Sequence, residues 1–156
     1  MAELKILGIG VLSWMVFLPV LGMIIVLALP KSQTKAIKYI ATGFMVLLMF
    51  ISVYMLANYD SSKSGVNSLE GLQFVEKVTW IDVDFPAAMI GKIHIEYFLG
   101  ADGLSFPMVL LTALIGFVGA VASFSIKKNE KGYYAMYLFL ITGMMGTFVA
   151  LDFFLF

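Results

Sequence analysis

The chain has 156 residues and a mean hydropathy of +1.00, with 62% hydrophobic and only 13% charged side chains. Soluble domains carry about 25% charged residues, so this composition excludes a water-soluble monomer and defines a membrane protein. Ten Lys balance ten Asp and Glu while Arg and Cys are absent, so nucleic-acid binding, disulfides, thiol chemistry, iron–sulfur ligation and cysteine-based zinc sites have no support.

Residues 6–29 form the first uncharged apolar run. At ~1.5 Å per residue it reaches roughly 36 Å, enough to cross ~30 Å of hydrocarbon. Glu3 offsets Lys5, and the run is longer than a cleavable leader needs, so it is expected to be a retained span. Pro19 withdraws an amide from the carbonyl of Met15 one turn earlier, which predicts a kink. Residues 39–59 and 104–126 are the second and third runs, and 133–156, apolar except for Asp152, is the fourth. The expected fold is an all-α polytopic membrane protein, one membrane domain over 1–156 with about four transmembrane helices.

The connection 30–38 carries Lys31, Lys35 and Lys38 without an acid, and 127–132 carries Lys127, Lys128 and Lys131 against Glu130. Lysine excess marks both as cytoplasmic, so the N-terminus and the acid-rich segment 59–103 are expected outside, in the topology of a multi-pass protein of a bacterial cytoplasmic membrane. That outer segment holds two alternating stretches, Lys77–Asp84 and Lys92–Tyr97, which read as a short β-hairpin joined through Pro86 and Gly91. Strict alternation puts Val78, Trp80 and Asp82 on one face of the first strand, and Ile93, Ile95 and Tyr97 on one face of the second. The polar stretch 60–68 before them reads as flexible. Two roles stay open for the hairpin: a cap over the helix ends, or an edge for a neighbouring subunit.

Ion and proton pathways through lipid need buried ionisable groups, and none lies inside the first three runs. His94, the single histidine, has no partners at ligand spacing, so no catalytic, cofactor-binding or metal residue is expected in this chain. Asp152 reads either as an ion contact or, with more weight, as a carboxylate at a helix end near the interface. Asp102-Gly103-Leu104-Ser105-Phe106-Pro107 reads as a helix start: Asp102 or Ser105 caps free amides, and Pro107 suits the first turn. Farther along, Ala113, Gly116, Ala120 and Ser123 recur at three- and four-residue steps, a seam where another helix can come close. Gly143 and Gly146 repeat the theme on the fourth run.

The stretch from His94 through Asp102-Gly103-Leu104-Ser105-Phe106-Pro107 to Thr112, with Ala122-Ser123 after it, resembles the third-helix start of the proton-pumping, antiporter-like subunits of respiratory complex I, NADH-quinone oxidoreductase. Gly146–Phe156 resembles the family's next segment, and Leu12-Ser13-Trp14 through Leu18-Pro19-Val20-Leu21-Gly22 to Leu29-Pro30 resembles its first helix. Trp80-Ile81 upstream favours the M-type members, while Ala101 stands where the family has a larger residue. The resemblance implies an N-terminal scaffold piece of a longer helical bundle built from inverted repeats, contributing to proton translocation coupled to quinone reduction. The family's buried lysines and its essential glutamate have no counterpart in this sequence. Quinone, flavin and iron–sulfur clusters are then expected in partner subunits, and the partners are other membrane subunits, especially neighbouring antiporter-like ones, together with the lipid bilayer. A corresponding subunit of a multisubunit sodium/proton antiporter or membrane-bound hydrogenase is the related alternative, and a small non-transporting scaffold is the alternative from another class.

Overall fold

The computed structural model describes residues 5–6, 9–60, 62, 71–84 and 92–156, with backbone alone at 5–6, 83–84 and 92–94. The Pro86 to Gly91 connection and most of the 60–68 stretch lie outside the described residues. In chain order the elements are β1 (Lys5–Ile6), β2 (Ile9–Gly10), α1 (Val11–Ala28), α2 (Thr34–Ala57), β3 (Gln73–Asp84), β4 (Lys92–Ala101), α3 (Ser105–Ala122) and α4 (Glu130–Val149). A single 3₁₀ turn, Ser123–Ser125, extends α3. The four helices are long and apolar enough to cross a membrane, and a two-stranded β3–β4 sheet lies between α2 and α3 in the chain.

The helix bounds differ from the apolar runs. Residues 6–10 belong to the paired strands β1 and β2, so α1 starts at Val11. The α2 helix starts at Thr34, one turn before the uncharged run, and so takes Lys35 and Lys38 into the helix. Lysine is a good helix former and its long stem lets the ammonium reach past a helix end, so a charge boundary is not a helix boundary. The α4 helix stops at Val149, and Ala150 pairs with Leu99 of β4 instead. The amide of Leu151 then donates to the Phe98 carbonyl at 2.9 Å. A backbone partner on the sheet edge thus ends the helix inside an apolar run that composition alone would continue. Pro19 lies within α1, which continues through it to Ala28.

Each helix packs against the next, and α1 also packs against α4, which closes the bundle. The inward stripes are Val11, Leu12, Met15 and Val26 of α1; Ile37, Ala41, Met45 and Leu48 of α2; Val109, Ala113 and Ala120 of α3; and Tyr134, Leu138, Ile141 and Met145 of α4. Their spacing of three and four residues is that of one helix face. In lipid the outward face is apolar as well, so close packing rather than amphipathicity selects the inward stripe. Gly22 shows this on α1, since a methyl there would come within 2.8 Å of the Phe44 ring on α2.

The hairpin is longer than the two alternating stretches and is antiparallel, with Val78 opposite Tyr97 and Ile81 opposite Ile95. Trp80 is the extra residue of a bulge between Thr79 and Ile81. Opposed residues share a face, so Val78 and Ile81 lie on the Ile95 and Tyr97 face, while Asp82, opposite His94, lies on the other. The face expected from strict alternation is corrected accordingly: one inserted residue inverts the pleat beyond it. A second irregularity lies between Gln73 and Glu76, where Phe74 is buried at a positive φ of 55°.

Gly116 on α3 is buried, and an added methyl would meet Ile141 of α4 at 3.2 Å and the Met45 sulfur of α2 at 3.4 Å. Replacing it with leucine is expected to cost about 1–3 kcal/mol by overpacking. Gly143→Leu is expected to leave stability unchanged, because a methyl there has no atom within 4 Å. Thermal unfolding of the two variants in detergent compares them, and equal midpoints would refute the packing role.

Candidate functional site at the two ends of the bundle

Charged side chains with partners in other elements gather at the two ends of the bundle. At the hairpin end, α1 begins without a cap of its own: Gly10 precedes it, no side chain caps it locally, and its first turn contains no acid. The amides there are free donors and carry the positive end of the helix dipole. Glu76 of β3 meets them. Its carboxylate accepts the Leu12 amide at 2.7 Å, shares the Ser13 amide between its two oxygens at 3.3 and 3.2 Å, and accepts the Ser13 hydroxyl. Tyr97 of β4 lies 2.8 Å from Ser13 Oγ. Ser13 has one hydroxyl proton and gives it to Glu76, so Tyr97 is the donor in that contact.

Gly10 is what admits the carboxylate, since a methyl there would sit 1.9 Å from Glu76 Cδ. The bulge at Phe74 lies two residues before Glu76, at the hairpin end nearest α1 and α3. Burial pushes the Tyr97 hydroxyl above its ordinary value of 10.0, and the negative charge of Glu76 adds to the rise. Farther along the strands, Lys77 pairs with Glu96 at 2.8 Å and lies 5.5 Å from the Phe98 ring centre.

Asp102 and Ser105 form a reciprocal cap at the start of α3. The Asp102 carboxylate accepts the amides of Leu104 at 3.1 Å and Ser105 at 2.7 Å, and Ser105 Oγ accepts the Asp102 amide at 2.9 Å. Gly103 lies in the turn between them, and Pro107 is in the first turn of α3, where a missing amide leaves no ladder bond unmade. Asp152 lies beyond the end of α4 and turns its carboxylate onto the Phe154 amide at 2.8 Å.

At the opposite end, lysines meet helix C-termini. Lys38 of α2 donates to the carbonyls of Phe124 at 2.9 Å and Ile126 at 2.8 Å, and its ammonium is 3.4 Å from a Glu130 oxygen. The two side chains are only 15% and 11% exposed. Lys131 donates to the Leu29 carbonyl at 2.9 Å, just past α1. Cations at helix C-termini and an acid in the first turn of α4 match the signs of the helix dipoles. Sequence reading left Lys38 in a connection and missed this tie; its signal was its place next to the inward position Ile37.

The seam residues divide. Ala113, Gly116, Ala120 and Ser123 are buried, and what they admit includes tyrosine hydroxyls. Tyr137 donates to the Gly116 carbonyl, and its oxygen would lie 2.7 Å from a methyl on Gly119. Ser123 Oγ donates to the Gly119 carbonyl at 2.6 Å and meets Tyr133 OH at 2.7 Å. Gly143 and Gly146 do not belong with them: a methyl on either meets nothing within 4 Å, because the inward face of α4 runs through Leu138, Ile141 and Met145. His94 is opposite Asp82 in the hairpin register.

These features define a polytopic membrane segment, a closed four-helix bundle carrying a β-hairpin at one end. Comparison with known proteins supplies its relatives. Residues 78–151 match the family model described as NADH-ubiquinone oxidoreductase chain 4, amino terminus. NADH-quinone oxidoreductase subunit M of Rickettsia conorii is 30% identical over 162 aligned positions, covering 100% of this chain and 29% of the relative. The chloroplastic NAD(P)H-quinone oxidoreductase chain 4 of Chlorokybus atmophyticus is 28% identical over 145 positions, 93% of this chain and 26% of its own length. Chain 4 2 of the same enzyme from Microcystis aeruginosa is 27% identical, covering 93% of this chain and 24% of the relative. The chain thus resembles subunit M and chain 4 of these oxidoreductases over nearly all of its residues, and it spans less than a third of the length of those relatives.

Glu76→Ala leaves two first-turn amides of α1 without an acceptor, an expected loss of about 1–3 kcal/mol. Amide hydrogen exchange at Leu12 and Ser13 is the direct measure, and a rise of roughly fivefold or more corresponds to that loss. Unchanged protection would refute the tie. Tyr97 ionises later in the folded chain than in the unfolded one, so its contribution is complete below pH 10.0 and disappears as pH rises through the folded value. The late-titrating part of the tyrosinate absorbance should accordingly fall by one group in Tyr97→Phe; a wild-type minus variant difference titration centred below pH 10 would contradict the raised value.

Proposed function

We propose that this chain acts as the N-terminal scaffold of an M-type membrane subunit in an NADH-quinone oxidoreductase. The observation that carries the reading is the similarity to subunit M of Rickettsia conorii along 100% of this chain. In this role the chain holds helices in register and contributes to proton translocation coupled to quinone reduction. The redox cofactors and the quinone site belong to other subunits of the enzyme.

Four charged side chains of the described bundle support scaffolding, because they are engaged at helix ends. Glu76, Lys38 and Lys131 hold backbone groups, and Asp102 holds the start of α3. Neighbouring antiporter-like subunits are the expected partners. The exposed Val78, Trp80 and Ile81 of β3 offer them an apolar surface, at 61%, 60% and 38% exposure. Lysine excess around α2 and α4 orients that end toward the cytoplasm and the hairpin outward.

The test is purification of the native protein under mild detergent, followed by identification of what accompanies it. Co-purification with redox and other membrane subunits of the oxidoreductase is expected, and Trp80→Asp should reduce it severalfold without changing helical content. Isolation without any redox subunit would overturn the reading. Because the chain contains no cysteine, Thr79→Cys and Lys127→Cys report orientation cleanly. An impermeant maleimide should label the first from outside and the second only after permeabilisation.

A further inference from the structure

At the lysine end, an open groove of about 820 Å³ runs along α4, lined by Lys128, Asn129, Gly132, Tyr133, Met136, Tyr137 and Leu140. The α4 residues among these recur at three- and four-residue steps, so they form one stripe on one helix face. The stripe changes character along its length. Lys128 and Asn129 form a polar mouth, and below them Met136 and Leu140 are 69% and 58% exposed. Tyr133 lies between the mouth and Met136 and Tyr137 between Met136 and Leu140, both turned onto α3 through Ser123 and Gly116.

The mouth is cationic. Lys38 and Lys131 are engaged at helix ends, and Glu130 faces Lys38. Lys127 and Lys128 are exposed and make no ion pair among the described residues. Asn129 takes a left-handed conformation at φ 49°, which folds its amide over the first turn; a methyl on Gly132 would lie 2.6 Å from Asn129 Nδ2. From Asn129 to Leu140 the helix advances roughly 16 Å, about the thickness of one hydrocarbon leaflet. A cationic mouth and an apolar wall flanked by tyrosines, together about one leaflet long, match the order of headgroup and acyl chain.

We propose that this groove binds an anionic phospholipid, its phosphate at Lys128 and Asn129 and one acyl chain along Met136 and Leu140. The inference rests on α4 crossing a membrane and does not depend on the oxidoreductase reading.

Native mass spectrometry of the detergent-purified, delipidated chain tests it, with phosphatidylglycerol or phosphatidylcholine added as the probe. Each surface lysine is worth about fivefold in affinity for an anionic lipid. Phosphatidylglycerol should therefore be retained about fivefold over phosphatidylcholine, and Lys128→Gln should erase that preference. Lys35→Gln, an exposed lysine of α2 at the same end but outside the groove lining, should leave it intact. Equal retention of the two lipids, or an equal effect of Lys35→Gln, would overturn the proposal. A photoreactive benzoylphenylalanine at position 136 in native membranes supplies the second measurement. Cross-linking to phospholipid supports the site; cross-linking to a protein helix assigns the groove to a polypeptide and overturns it.

Discussion

A helix that crosses hydrocarbon satisfies its interior backbone by itself but leaves amides open at one end and carbonyls at the other. The bundle depends on closing these ends with side chains brought from elsewhere in the chain. Glu76 reaches the first turn of α1 across 64 positions of sequence, and Lys131 closes the other end of the same helix across 102. Lys38 does the same for the end of α3 across 86 and 88 positions. Each contact joins two elements, so capping and tertiary assembly are one event. Each also has the sign that the helix dipole favours, with the carboxylate at an N-terminus and ammonium groups at C-termini.

Between these ends the helices have little hydrophobic drive toward one another, because lipid is as apolar as their neighbours. What holds them is fit. Gly22 accepts the Phe44 ring, Gly116 lies under Ile141 and Met45, and Gly119 leaves room for the Tyr137 hydroxyl. The tyrosines then add hydrogen bonds from α4 to α3, at the Gly116 carbonyl and at Ser123. A small residue thus serves twice, by letting a side chain approach and by exposing a carbonyl that the side chain can use. The hairpin is joined to the same frame from both sides, by Glu76 on α1 and by the pairing of Ala150 with Leu99 beyond α4.

Much of the fold was legible in the residues because lipid imposes simple rules. Uncharged runs of about twenty residues announce helices, and alternation between Lys77 and Asp84 announces a strand. The local pattern Asp102-Gly103-Leu104-Ser105 also stated its cap, since both partners lie within one turn. The faces of the hairpin were not legible, because the bulge at Trp80 is a property of the pairing and leaves no mark in a single strand. Gly143 and Gly116 carry the same local signal and have opposite surroundings. A small residue in an apolar run says that a neighbour could approach, and only the rotation of its helix says whether one does.

The four helices, their rough bounds, the sheet between α2 and α3, and the resemblance to the chain 4 and subunit M oxidoreductases could all be read from the order of residues alone. Those follow from composition over windows of a few to about twenty residues, where the physics is local. Packing in three dimensions was needed to show that Glu76 of β3 caps α1, that Lys38 lies inside a helix and closes α3, and that Lys127 and Lys128 are left exposed without ion pairs among the described residues. The reason is physical. A carboxylate or an ammonium has no directional preference along the chain, and its partner is whichever unsatisfied backbone end the packing of four helices carries to it.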